Sequence, residues 1–381
     1  MTVSAEQREV YIRSHKEELR QLTEALCRIP APSGMERARA EFCKKWLEKY
    51  GAKNVRIDEA DNTVLELNAE GSKQLTVLMA HTDTVFLDTA PMDVRYEDGK
   101  MLCPGVGDDT ANLAVLLMTA RFLLEQEIFP QHGLLIAANS GEEGLGNLRG
   151  CRQLMRDYQG RVARVISFDG YYSRLWNRAV GSVRYRIRIR TAGGHSFRDF
   201  GTPNAIALMA ELISELYTIR PHWGGEDCTT TYNVGTIQGG TSVNTVAQEA
   251  EMLYEYRSDA VEGLRGMDAA FHTMVEAWRT KGVELEVEQL AVRPCGEGVD
   301  EAKQQELSDW SASLLRTHTG KVPIVESAST DCNIPLSLGI PAVSFGVCDG
   351  GGAHTREEWI ETDSLELGLN IALETALHFS E

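Results

Sequence analysis

The sequence has no Cys-x-x-Cys pair; its eight cysteines are scattered at positions 27, 43, 103, 151, 228, 295, 332 and 348. In a chain of this size that spacing reads as free thiols in a reducing cytoplasm, not as a disulfide framework. No apolar run approaches the ~20 residues of a membrane span, and the stretch from Met1 to His15 is polar and unlike a signal peptide, so no membrane association is expected. Basic residues are in deficit: 38 Lys plus Arg stand against 56 Asp plus Glu, a formal charge of −18. Such a surface repels phosphate backbones and anionic lipid, which argues against a nucleic-acid or membrane-surface partner. There are no internal repeats or low-complexity tracts. With 43% hydrophobic and 25% charged residues the composition is globular, and 381 residues exceed one ordinary core, so two domains are expected.

Helical spacing from Glu6 to Leu26 is followed by the breaker Pro30-Ala-Pro-Ser-Gly34. Ser33-x-x-Glu36 then has the spacing of a capping box ahead of a second helix through Arg39, Phe42, Trp46 and Tyr50. Short apolar runs bounded by turns (75–80, 134–138, 162–168 and 342–347) read as strands, and 111–124 is apolar nearly all round, hence a buried helix. Strands alternating with helices indicate an α/β layer whose largely parallel sheet is covered on both faces. Near Gly181 the pattern changes. Val183, Tyr185, Ile187 and Ile189 alternate with Arg184, Arg186, Arg188 and Arg190, the period of a half-buried strand with its arginines on a solvated or subunit-contacting face. A β-α-β-β-α-β order follows to Leu290, which matches a ferredoxin-like α+β unit. Residues 180–291 are therefore read as a domain inserted into a catalytic domain formed by 1–179 and 292–381.

The polar clusters of the first domain follow its strands. His81-Thr-Asp83 follows 75–80, Asn139-Ser-Gly-Glu142-Glu143 follows 134–138, Asp169 ends 162–168, and Asp108-Asp109 lies in a Gly-rich loop before the buried helix. Gly350-Gly-Gly-Ala-His354 follows the late strand. Ligands of open α/β sheets gather outside the carboxyl ends of the strands, so these groups can converge. Together, Asp83, Asp108, Asp109, Glu142, Glu143 and Asp169 are strongly destabilising unless cations offset them, and the motifs hold no Lys or Arg that does so. Imidazole with carboxylate and no thiolate suits catalytic Zn²⁺, or Mn²⁺ or Co²⁺. With His81, Asp108, Glu143, Asp169 and His354 as ligands, three carboxylates and a bridging hydroxide balance two divalent ions, which favours a two-metal hydrolase. Glu142 is left as general base for the bridging water, and Asp83 as the carboxylate that orients His81. Asp109 reads as a carboxylate at the start of the following helix. Rival chemistries fall away: Gly144-x-Gly146-x-x-x-Gly150 misses the dinucleotide spacing and Ser140 lacks the nucleophile-elbow pattern.

Six motifs in order, His-x-Asp-x-Val (81–85), Gly-x-Gly-Asp-Asp (105–109), Ser-Gly-Glu-Glu-Gly (140–144), Asp169, Gly-Gly-His-Ser (193–196) and Gly-Ala-His (352–354), resemble the di-zinc metallopeptidase family of aminoacylase, acetylornithine deacetylase, succinyl-diaminopimelate desuccinylase, carboxypeptidase G and peptidase T. The resemblance implies that Asp108 bridges two metals, with His81 and Asp169 on one and Glu143 and His354 on the other. It makes residues 180–291 a lid that also forms a homodimer, and His195 an oxyanion stabiliser reaching the partner's site. It makes Asn244 and Arg257 substrate contacts, the Arg fork suiting a carboxylate. Arg257 has a competing use in pairing with Glu255 or Asp259. An Asp at position 169 is the usual choice of the family's aminopeptidases and dipeptidases. Thr110-Ala111, where many relatives have Lys-Gly, removes a cation beside the metals.

The function expected is hydrolysis of an amide bond in a small peptide, by an aminopeptidase or dipeptidase in the cytoplasm. The alternatives are an N-acyl or N-carbamoyl amino-acid amidohydrolase acting on an amino-acid conjugate and, in a different class, a non-catalytic metal-stabilised binding homologue.

Overall fold

The computed structural model describes residues 3–225 and 228–380. It divides into two compact units, one of residues 1–178 with 297–381 and one of Ala179–Gly296.

The first unit is built on a mixed sheet of eight strands among the described residues. From edge to edge these are Val55–Ile57, Thr63–Leu67, Leu134–Asn139, Leu75–His81, Val162–Phe168, Ala342–Phe345, Arg174–Ala179 and Ile324–Ala328. The four central strands, Leu134–Asn139 to Ala342–Phe345 in this order, are parallel. Leu75–His81 and Leu134–Asn139 are buried along their whole lengths, as near-continuous apolar runs in a covered parallel sheet should be. Ala111–Glu125, buried from Ala111 to Leu123, packs with Ser364–His378 and Ala5–Cys27 against this sheet. The first helix opens with a full capping box from Ser4 and Gln7 and buries Tyr11, Ile12, Leu19, Leu22 and Leu26 at helical spacing.

The capping box expected at Ser33 and Glu36 does not form. The second helix begins at Arg37 with no side-chain cap bond. Ser33 Oγ donates instead to Asp83 Oδ2 at 2.6 Å, and Glu36 Oε1 accepts the N–H groups of Gly34 (2.9 Å) and Gly141 (3.0 Å). Both side chains are claimed by the polar cluster at the strand ends, where acceptors are worth more than at an exposed helix terminus.

The second unit has one four-stranded antiparallel sheet, in the order Thr230–Gly239, Glu249–Ser258, Gly181–Arg190 and Glu284–Arg293, with helices Ala205–Leu216 and Val261–Thr280 packed on it. This is the ferredoxin-like arrangement of a β-α-β-β-α-β chain. Val183, Tyr185, Ile187 and Ile189 enter its core with Met252, Tyr254, Tyr256 and Phe271. On the opposite face the arginines pair with glutamates of neighbouring strands: Arg186 with Glu288 (2.7 Å), Arg188 with Glu251 (2.7 Å) and Arg190 with Glu249 (3.0 Å). Among the described residues of the chain, no helix is long and apolar enough to cross a membrane.

Candidate metal centre

The carboxyl ends of the parallel strands deliver the polar clusters of the first unit to one place. Leu75–His81 and Leu134–Asn139 pair in register up to His81 opposite Asn139, so the segments 81–83 and 140–143 leave the sheet side by side. Val162–Phe168 lies on the other side of Leu75–His81 and ends at Asp169. Asp108 is carried by the irregular turn Val106–Thr110 ahead of the buried helix, with a cis Asp108–Asp109 peptide. His354 comes from the loop after Gly350–Gly351 and holds a left-handed φ of 64°, a costly conformation for a residue with a side chain.

Asp108 stands at the centre. Its Oδ1 is 2.9 Å from His81 Nε2, and its Oδ2 is 3.1 Å from His354 Nε2, which is also 3.1 Å from Glu143 Oε1. Among the described residues, three sets of potential ligand atoms each fall within 4.8 Å: His81, Asp108 and Asp169; Asp108, Glu143 and His354; and His81, Glu142 and Glu143. His81 Nδ1 faces the Asp83 carbonyl oxygen at 3.0 Å, with Asp83 Oδ1 at 3.5 Å. A proton on Nδ1 leaves Nε2 as the coordinating nitrogen. The Asp83 carboxylate has a second task, accepting the N–H groups of Glu142 (3.0 Å) and Glu143 (2.9 Å) and so fixing the Glu-Glu segment against the His81 loop.

The electrostatics show a site short of positive charge. Burial, with Asp108 and Glu142 adding to it, pushes the Glu143 carboxyl up to about 7. Burial, then Asp108, raises Asp169 well above the carboxylate range, and burial does the same to Asp109. The His354 imidazole is pushed up to about 11 by its contacts with Asp108 and Glu143. For His81, burial opposes the charged form, but Asp109, Asp108 and Asp83 outweigh it and raise the imidazole well above its ordinary value. Asp108 goes the other way: burial alone would raise it, and the two imidazoles hold it low. Imidazoles and carboxylates are gathered here within ligand distance of one another, and that donor set fits divalent cations.

The remaining expected residues lie in the second unit. His195 sits in the short Gly194–His195 strand paired with Thr245–Val246. Its Nδ1 accepts the N–H groups of Phe197 (3.2 Å) and Arg198 (3.4 Å), which leaves a proton on Nε2 as an outward donor. Asn244 adjoins it, its carbonyl oxygen accepting Ser196 N–H at 3.0 Å. Arg257 is not beside these two: it pairs with Ser182 at the far end of a strand whose other end, Glu249, pairs with Arg190. Its guanidinium holds Glu255 through two bonds, of 2.9 and 3.1 Å.

Several buried residues around the centre escaped the sequence reading. Glu358 accepts from the backbone N–H of Gly105 (2.6 Å), Gly107 (2.9 Å) and Asp108 (2.8 Å), and burial with Asp108 pushes it up to about 8. Asn112 donates to Asp109 Oδ1 (2.6 Å) and Gly170 O (2.9 Å) and accepts from Val347 N (2.7 Å), tying three loops together. Asp331 is buried beneath the site, bonded to Asn139 Nδ2 at 2.5 Å and pushed up to about 7 by burial and Glu142. Asn112, a lone amide in an apolar helix, carried a signal. Glu358, in Arg-Glu-Glu-Trp, and Asp331 carried none.

A parallel-sheet rim on which two groups of candidate ligands share one carboxylate is the arrangement expected of a metal-dependent hydrolase of the metallopeptidase and amidohydrolase class. Sequence comparison agrees: the profile of Peptidase family M20/M25/M40 matches residues 77–378, and the chain belongs to this family. Among its relatives, a succinyl-diaminopimelate desuccinylase of Corynebacterium glutamicum is 27% identical over 347 residues, covering 88% of this chain and 90% of the relative. Among solved structures, a tripeptidase of Staphylococcus aureus superposes with a TM-score of 0.76 at 23% identity, over 96% of this chain and 98% of that one. A dinuclear metal-binding peptidase of Bacillus subtilis gives 0.66 at 14% identity, over 96% and 98%.

Proposed function

We propose that the chain is an aminopeptidase or dipeptidase that cleaves small peptides with a free amino terminus, using two divalent ions, most simply Zn²⁺. The observation that carries this reading is the sharing of Asp108 between the His81–Asp169 and Glu143–His354 groups. His81 and Asp169 would hold one ion, Glu143 and His354 the other, and Asp108 both. When bound, the ions polarise the scissile carbonyl and make water acidic enough to attack at neutral pH. Glu142 takes the proton of the attacking water and returns it to the departing amine, a task suited to a carboxylate only 6% exposed and within ligand reach of His81 and Glu143. Asp83 holds His81 and the Glu-Glu segment in register. His195, with its Nε2 proton, serves as oxyanion donor, and Asn244 and Arg257 contact substrate, Arg257 only after loosening its grip on Glu255. The second unit acts as a lid and as the contact of a homodimer.

Asp169 in place of Glu supports a free amino terminus, and the resemblance to a tripeptidase points the same way. The similarity to a desuccinylase favours a second reading, N-acyl amino-acid hydrolysis. Metal-loaded protein assayed on free di- and tripeptides beside their N-acetyl and N-succinyl counterparts separates them. Faster turnover of the free peptides is expected; preference for the acylated forms refutes the peptidase reading. Glu142→Ala should lower kcat by ~10²–10⁴-fold with metal content unchanged.

A further inference from the structure

The sequence motifs offer no basic residue to the acidic cluster, yet the fold brings one beneath it from the second helix. Arg39 is completely buried, at 0% exposure. Its Nε donates to Ile29 O at 2.8 Å, and its Nη1 donates to Thr82 O at 2.9 Å and Thr110 Oγ1 at 3.2 Å. Thr82 lies between His81 and Asp83. Thr110 follows Asp108 and Asp109, and Asp109 Oδ2 in turn accepts His81 N–H at 2.8 Å. Among the described residues no carboxylate forms an ion pair with Arg39, and burial is the largest influence on its charge, disfavouring it. Its Nη2 is buried without a hydrogen-bond partner.

A buried cation with no paired acid is costly, and an apolar side chain of similar volume would fill this space at less cost. What an apolar residue or a lysine cannot do is donate in several fixed directions from one plane. The three acceptors belong to the loop before Pro30, the end of the Leu75–His81 strand and the turn that carries Asp108.

We propose that Arg39 is a positioning residue of the metal centre, its guanidinium clamping the segment of His81 and Asp83 to the segment of Asp108 and Thr110. The clamp sets the separation of two ligands that no element of secondary structure connects. It rests on the metal-centre reading above. Residues that hold ligands from outside the coordination shell typically change metal affinity by ~10–100-fold when altered.

The test is titration of metal-free protein with Co²⁺, followed by its visible ligand-field absorption, with thermal unfolding measured alongside. Arg39→Lys keeps the charge and loses the fork; Co²⁺ affinity falls at least ~10-fold. Thr110→Val removes one acceptor at nearly constant shape. It weakens Co²⁺ binding by roughly 2–10-fold in the parent and has no further effect in the Arg39→Lys background, because the bond is already gone. Leu47→Ala loosens the same helix without touching positions 82 or 110 and leaves Co²⁺ affinity unchanged. Parent-like affinity in Arg39→Lys, additive losses in the double variant, or an equal loss in Leu47→Ala overturns the clamp. Should Arg39→Lys fail to fold, unchanged affinity in Thr110→Val alone overturns it and weakened affinity supports it. Parent protein that takes up no Co²⁺ overturns the metal-centre reading and the clamp with it; normal parent uptake with unmoved variants overturns the clamp alone.

Discussion

Stripping divalent cations should produce a protein that loses stability as pH rises, the reverse of what paired surface carboxylates give. Glu143 shows the sign. Burial first, then Asp108 and Glu142, moves its carboxyl from an ordinary 4.5 to about 7 in the folded, metal-free chain. Between those values the folded state keeps a proton that the unfolded chain has released, so the free energy of unfolding falls with rising pH. At ~1.4 kcal/mol per pH unit, the gap amounts to about 3 kcal/mol, and the 7% exposure of the side chain leaves little solvent screening. Asp331 and Glu358, pushed up to about 7 and about 8 by burial, add with the same sign. So does His354, whose raised imidazole contributes stability that is complete below its ordinary 6.5 and lost as pH climbs toward about 11. Asp108 and Asp83, held low, act below the ordinary carboxylate value of 3.8, outside this window. Set against a typical total of ~5–15 kcal/mol, and with an unfolding entropy of ~2.1 cal/mol/K per residue in a chain of this length, the Glu143 contribution alone lowers the melting temperature by roughly 4–6 °C. The assay is thermal unfolding by circular dichroism from pH 5 to 8, on chelator-treated protein and on protein reloaded with Zn²⁺ or Co²⁺. The stripped protein should melt progressively lower toward pH 8, and the loaded protein should melt higher with a shallower slope, since the cations take the place of the protons. A stripped protein whose melting temperature is flat or rises over this range refutes the reasoning.

Further outcomes follow from single side chains. Asp83→Asn leaves one oxygen where two now accept from Ser33, Glu142 and Glu143; metal content after dialysis, measured by mass spectrometry, should report ~10–100-fold weaker binding. Glu358→Gln turns an amide donor toward backbone N–H groups that already donate, costing on the order of 2–3 kcal/mol in denaturant unfolding; an unshifted midpoint contradicts the role given to Glu358. Gly368→Ala should fail to give the usual helical gain of ~1 kcal/mol. The added methyl would run into the Val347 carbonyl oxygen, and a loss of about 2–3 kcal/mol is expected in the same measurement.

The parts of this protein legible in its sequence are those written in local pattern. Apolar runs ending in polar clusters marked the strands and the rim at once, because a covered parallel sheet must be apolar along its strands and can be polar only where they end. His81, Asp83, Asp108, Glu142, Glu143, Asp169 and His354 stand out in the sequence at or near such ends, and the structure brings all seven close together in space. The strict alternation at 183–190 marked the antiparallel unit equally well. Reading failed where a residue's partner is distant. Ser33 and Glu36 have the spacing of a cap and serve the site instead. Glu358 meets the Asp108 turn from about 250 residues away, and nothing in its neighbours distinguishes it from a solvated glutamate.

Arg39 draws the line between the two kinds of information. The sequence by itself marked the acids at strand ends and the expectation that, if they converge, cations answer them, because apolar runs and the polar residues that end them are local features of the chain. Only the tertiary structure decided that a basic side chain, Arg39, lies buried beneath that rim, bonded to neutral acceptors at Ile29, Thr82 and Thr110. Arg39 stands among Glu36, Arg37 and Glu41 like any residue of a charged helix face, and its burial depends on how that helix packs over Ile29, Thr82 and Thr110. Hydrogen-bond direction and burial depend on chain segments brought together by folding, and no spacing along the chain encodes them.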